Sequence, residues 1–127
     1  MHGIDPLDAG YIATSDMMFD FAPKSQDIDN ANAHSMARPE QSKYCAQQGA
    51  LKFINGQLMT GTLMGLGAAM HTNEDSFAAG HAYTEWDGNL TWAHVVGDWF
   101  PSYSEVVNAV STDLNVIDAY QNGGTYY

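Results

Sequence analysis

Four of the five histidines stand in a patterned relation to aspartates. His71 and Asp75 are four residues apart, and so are His94 and Asp98. On a helix, residues i and i+4 share a face, so each pair can present a nitrogen and an oxygen to one point. His81 lies between the pairs, beside Gly80, where the chain can turn sharply. The stretch reads His-x3-Asp-x5-His-x12-His-x3-Asp. Upstream, Asp20 precedes His34 by fourteen positions, and the two flank a polar segment. Imidazole with carboxylate suits zinc and other first-row metals. Seven such groups are too many for one tetrahedral ion; they suit two ions, or three, with a carboxylate bridging. Taken singly, each His–Asp pair reads more simply as a solvated or hydrogen-bonded pair, and it is the joint pattern that favours a metal.

These side chains need elements to hold them. Asp5-Pro6 reads as a helix start. Ala9, Ile12, Ala13 and Met17 then recur at helical spacing until Phe21-Ala22-Pro23 breaks the pattern. Residues 23–38 read as a long polar loop of the kind that carries function. Pro39 is expected to open a second helix running to about Ile54, stopped by Asn55-Gly56. A third helix is expected from Leu58 to about Ser76. It is apolar over most of its circumference, with Gly61 and Gly65 at a spacing that suggests close packing, and it is the expected central helix. Phe77 to Asn89 reads as a second functional loop, and Leu90 to Phe100 as a short helix stopped by Pro101. Ser102 with Glu105 matches a capping box for a last helix. Its expected buried stripe is Val106, Val110, Leu114, Ile117 and Tyr120, and Asn122-Gly123-Gly124 ends it. The fold class is therefore all-α: a compact bundle of about five helices around a di- or trinuclear metal site, with residues 1–127 as one domain.

Other residues have blander readings. Asp16 and Asp29 are expected as solvated acids or turn formers. Glu74 neighbours Asp75 but points about 100° away on the helix, against a ligand role. Trp86, Trp92 and Trp99 could line a pocket, but core packing is the commoner use. Met59, Met64 and Met70 are expected in the core.

Composition sets limits on partners. The net charge is -11, and all four basic residues, Lys24, Arg38, Lys43 and Lys52, lie in the first half. A protein that neutralises many phosphates with side chains should look different, whereas bound divalent cations can be the largest positive charges in a site. One cysteine, Cys45, excludes an intramolecular disulfide and a cysteine-rich zinc finger. The N-terminus shows no basic region followed by an apolar run, so no signal peptide is visible. The start then reads either as an artificial boundary or as a cut within a longer protein, secreted or exported with it, and a single cysteine fits a reducing compartment as well as an exported protein stapled by metal. No apolar stretch approaches the roughly 20 residues of a membrane span.

The ligand order resembles the zinc-dependent phospholipase C and single-strand-specific nuclease superfamily. The segment Leu66-Gly67-Ala68-Ala69-Met70-His71-Thr72-Asn73-Glu74-Asp75-Ser76-Phe77-Ala78-Ala79-Gly80-His81 is similar to its central signature. His94-x3-Asp98 is similar to its last pair, and the separation of Asp20 and His34 fits its upstream pair. The likeness reaches from about residue 5 to residue 100. It implies an all-helical fold with two or three zinc ions. Asp20, His34, His71 and Asp75 would hold one ion, and His81, His94 and Asp98 a second. Asp75 would also face a third, for which His2 is the candidate histidine. Met1 is not the family's usual first residue, and the chain is about half the length of the well-known secreted enzymes.

The resemblance implies hydrolysis of a phosphodiester. Zinc lowers the pKa of its water from about 16 to about 7, which makes hydroxide available at neutral pH. Asp20 and Asp75 are then the expected catalytic carboxylates, with Asp20 orienting the water or acting as general base. A phospholipase C-like esterase is the first reading, with a lipid substrate favoured by the acidity and the aromatic loop at Trp86. A nuclease of the same superfamily is the second, against which the missing basic groove counts. The third is a non-catalytic, metal-stabilised module that binds a partner or immunity protein, or the toxin-like end of a larger secreted bacterial protein.

Overall fold

The computed structural model describes residues 3–89 and 101–127. His2, Trp92, His94, Asp98 and Trp99, and the short helix expected over 90–100, lie outside the described residues. Among the described residues there are four α-helices and one 3-10 helix: α1 (Pro6–Phe19), the 3-10 helix (Ile28–His34), α2 (Lys43–Leu58), α3 (Leu63–Asp75) and α4 (Tyr103–Asn122). The helical expectation holds, and α3 is central: α1, α2, α4 and the 3-10 helix all pack on it. Among the described residues no helix is long and apolar enough to cross a membrane.

Local chemistry sets the helix ends. Asp5 caps α1 through Leu7 N, with Pro6 at the first position. Ser102 and Glu105 form the reciprocal capping box of α4, and Gly123, with φ 60°, ends that helix in the left-handed conformation. α2 begins at Lys43 rather than Pro39. Glu40 sits at φ 63°, which no right-handed helix accommodates, and the cap falls to Ser42. α2 also runs through Asn55-Gly56. The Asn55 side chain donates to Leu51 O within the helix and to Tyr126 O, so it fastens the C-terminal tail instead of turning the chain. The break comes later, where Gly61 takes φ 63° ahead of the Thr62 cap of α3.

The apolar core joins Ile12, Ile54, Leu58, Leu66, Ala69, Val116 and Ile117. Burying each large aliphatic side chain there stabilises the fold by roughly 1.5–3 kcal/mol. Two expectations about burial are overturned. Met59 and Met64 are exposed, because the turn before α3 and the outer face of its first turn carry them. Val106, Val110 and Leu114 are exposed as well. α4 turns Asp113, Val116 and Ile117 inward, so its buried stripe is one step round from the most apolar one. On α1 only Ile12 is buried.

The long loop over 23–38 is more ordered than its composition suggests. It contains the 3-10 helix, which buries Ala31, Ala33 and His34. Thr72 of α3 donates to Ala33 O, and Ser35 donates to Thr72 O at 2.6 Å. Ser35 itself turns through φ 49°. The second loop is tied to the first by a parallel bridge of Ala37 and Glu85. Trp86 packs there with Ala31 and Met36 and donates to Gln26 O at 3.0 Å, so it is a core residue of the two loops.

Candidate metal centre

Two close approaches bring the site together. A Cβ added at Gly67 would lie 2.8 Å from Ile12 O and 2.8 Å from Ser15 Cβ, so only glycine lets α1 press this closely on α3. One turn further along α3 stands His71, and the same approach sets Asp16 of α1 and Asp20, the C-cap of that helix, against it. On the other side, Gly49 of α2 leaves room for Asn32 of the 3-10 helix. That helix delivers His34, held by the Thr72 and Ser35 hydrogen bonds.

Asp20, His34 and His71 offer ligand atoms near enough to share one metal ion. His71 Nε2 lies 3.2 Å from His34 Nδ1 and 3.3 Å from Asp20 Oδ1, and His34 Nδ1 lies 3.5 Å from Asp20 Oδ1. Ligands about 2.0–2.1 Å from zinc and set at the tetrahedral angle stand roughly 3.3–3.4 Å apart. The three atoms are therefore spaced as three ligands of one tetrahedral ion would be. Asp75 Oδ2 lies 3.2 Å from both of the same nitrogens. His81 Nδ1 approaches Asp75 Oδ2 at 3.3 Å and His34 O at 2.7 Å. A carbonyl oxygen only accepts, so Nδ1 of His81 carries the proton, and Nε2 is the nitrogen with which this ring could ligate.

The surroundings suit a cation. Asp16, Asp20 and Asp75 all reach His71. Burial disfavours charge on His71, but the negative charge of Asp75 and hydrogen bonds to Asp16, Asp20 and Asp75 push its pKa up to about 12. Burial likewise would raise Asp75, yet the His71 charge and hydrogen bonds from His34, His71 and His81 hold it well below the usual carboxylate range. For Asp20, burial is outweighed by its hydrogen bond and charge interaction with His71, and its pKa is lowered. The site thus collects carboxylates and holds a proton among them, where an ion would supply the same positive charge. Phe19 walls the centre with its ring, 5.2 Å from His34 and 5.1 Å from His71 between centroids. Asp20 is half-exposed and stands at the mouth.

Five of the eight expected site residues therefore meet: Asp20, His34, His71, Asp75 and His81. His2, His94 and Asp98 lie outside the described residues. Asp16 overturns its reading as a solvated acid, since its Oδ1 lies 3.1 Å from His71 Nδ1. Its position one turn before Asp20 was the available signal. Ser25, with Oγ 2.8 Å from His34 Nε2, had none, because a lone serine in a polar loop carries no spacing. Asp29 stays exposed in its loop, its backbone oxygen taking a bond from Arg38 Nη2 at 2.7 Å. Glu74 turns away from the centre and toward Asp113 of α4. No family model, curated protein or solved structure matches the chain.

Proposed function

We propose that the chain is a metal-dependent phosphodiester hydrolase of the phospholipase C type, a short and divergent relative of the zinc-dependent phospholipase C and nuclease superfamily. The observation that carries the metal reading is the triangle of Asp20 Oδ1, His34 Nδ1 and His71 Nε2, with edges of 3.2–3.5 Å. Two neutral imidazoles with carboxylate suit zinc. The resemblance adds Asp75 to this set, and the proposal extends to a second ion held by His81, His94 and Asp98, with His2 the candidate for a third. A bound ion supplies Lewis acidity and an acidified water. Among the described members Asp20 is the one half open to solvent, which suits it to orient that water or accept its proton.

Support for a small phosphodiester over a polynucleotide comes from the neighbouring cavity. It has a volume of about 250 Å³ and opens beside Asp75, and its lining among the described residues includes Glu74, Glu105 and Asp113 and holds no Lys or Arg. A polyanion would find no basic side chain there to neutralise its phosphates.

Protein purified without chelator should carry two or more equivalents of zinc or another transition metal by elemental analysis. It should turn over a phosphatidylcholine analogue in preference to single-stranded DNA, and lose that activity to chelator. Fewer than two equivalents would sink the multinuclear reading. Preference for DNA would move the proposal to the nuclease, and bound metal without turnover of either substrate would leave a metal-stabilised binding module.

A further inference from the structure

The two histidines of the triangle differ in how their outer nitrogens are held. His71 Nδ1 faces Asp16 Oδ1 at 3.1 Å, and His34 Nε2 faces Ser25 Oγ at 2.8 Å. A serine hydroxyl can donate or accept, so Ser25 tolerates either tautomer of His34. A carboxylate accepts only, so Asp16 requires a proton on His71 Nδ1. It leaves the lone pair on Nε2, the atom that points into the triangle. From this geometry we infer that Asp16 is a positioning residue of the metal centre: it fixes the tautomer and the ring plane of His71, and it touches neither ion nor substrate. The inference rests on the metal reading above and adds a residue to it.

The packing explains why Asp16 can do this. Its backbone nitrogen is one of the atoms that a Cβ at Gly67 would meet, at 3.0 Å, so the α1 backbone is wedged against α3 at this residue. The side chain reaches His71 from a fixed base, and the carboxylate is partly buried at 22% exposure. A metal-bound histidine with its remote N–H on a carboxylate is a known means of raising ligand basicity, and loss of such a partner weakens metal affinity about 10–100-fold.

The test compares Asp16→Asn, Asp16→Ala and Asp8→Asn in the full chain. Asp8→Asn removes the same charge from the first turn of α1, away from the centre. Cobalt(II) serves as probe, with affinity read by titration and geometry by the visible absorption of the bound ion. Asp16→Ala should weaken cobalt binding tenfold or more and alter the absorption bands. Asp16→Asn should also weaken it, because its amide can turn a donor toward Nδ1 and favour the wrong tautomer. Asp8→Asn should change neither readout. Equal effects of Asp8→Asn and Asp16→Asn would overturn the inference, since the loss would then be one of overall charge. A second readout does not need metal: the His71 Nδ1–H proton resonance, shifted downfield by the carboxylate, should be present in the metal-free wild type and lost in Asp16→Ala. If wild type binds no cobalt, the metal reading fails, and an unchanged resonance in Asp16→Ala overturns the inference separately.

Discussion

Glu74 and Asp75 are neighbours on the last turn of α3, and their surroundings drive them in opposite directions. Asp75 faces three histidines, at 3.2 Å from His34 and His71 and 3.3 Å from His81, and is held well below the usual carboxylate range. Glu74 faces another acid. Burial, its hydrogen bond with Asp113, and the charges of Asp16 and Asp113 push its pKa up to about 9. Asp113 is itself raised, by burial first, although Asn73 donates to its Oδ1 at 2.8 Å. One turn of helix therefore has an ionised side built to meet positive charge and a protonated side in which two carboxyls share a hydrogen. Residue type did not decide this. The 100° step between successive helical positions did, by giving each acid a different partner element.

The sharpest way to break that comparison is to remove the histidine shared by the ionised side. His71→Ala deletes one corner of the triangle and leaves Asp16, Asp20 and Asp75 without their common partner. Zinc affinity should fall at least 100-fold by titration calorimetry, whereas Glu74→Gln, on the other side of the same turn, should stay within about threefold of wild type. Comparable losses in the two variants would show that the two sides are not distinct.

Gly67→Ala tests the positioning of the ionised side without touching a ligand. The added methyl must displace Ile12 O or Ser15, and overpacking of this kind costs about 1–3 kcal/mol. Urea denaturation should show that loss. Zinc affinity should drop too, because Asp16 and Asp20 ride on the displaced helix. A stability loss with unchanged affinity would mean that α1 does not set the site.

The bundle, its caps and the central helix were legible in the sequence because each rests on local signals: Asp5-Pro6, Ser102 with Glu105, Gly123. Convergence of His71, Asp75 and His81 was legible from spacing on one helix and the turn after it. The facing of α4 was not. Val106, Val110 and Leu114 make the more apolar stripe, yet the helix buries Asp113, because Asn73 and Glu74 of α3 offer it hydrogen bonds that no pattern of its own residues announces. Ser25 escaped for the same reason, and Asp16 had only its place one turn before Asp20 to hint at its role. Their roles depend on which element lands beside them, and tertiary contact at Gly67 or through the Thr72–Ala33 hydrogen bond decides that.

Acidity distinguishes the two sides in opposite senses. His71 holds a proton in the metal-free state up to a pKa of about 12, and an ion bound at Nε2 must displace it. Between pH 6 and 8, zinc affinity should rise about tenfold per pH unit from this one proton, measured by competition with a buffered chelator. A flat profile would mean that His71 is already neutral, or that it is not a ligand.

The smallest effect belongs to the protonated side. Glu74 has its folded pKa raised to about 9 from an ordinary carboxylate value. A raised folded pKa gives stability that is fully present below the unfolded pKa and lost as pH rises through the folded one. The pair with Asp113 should therefore support the fold near pH 4 and weaken it progressively toward pH 9. Glu74→Gln keeps a group that can donate to Asp113 and cannot ionise. In metal-free protein it should match wild type at pH 4 and exceed it at pH 8.5 by about 4 °C in Tm, the scale of roughly 1 kcal/mol for a chain of this size. Asp75→Asn should do the reverse, since its depressed carboxylate gives stability above the unfolded pKa that is lost only as pH falls. It should be the less stable at pH 8.5, with the deficit shrinking in acid. Two neighbouring amide substitutions whose Tm shifts have opposite signs at the same pH would show that the partner across the helix, and not the acid itself, sets the chemistry of this turn.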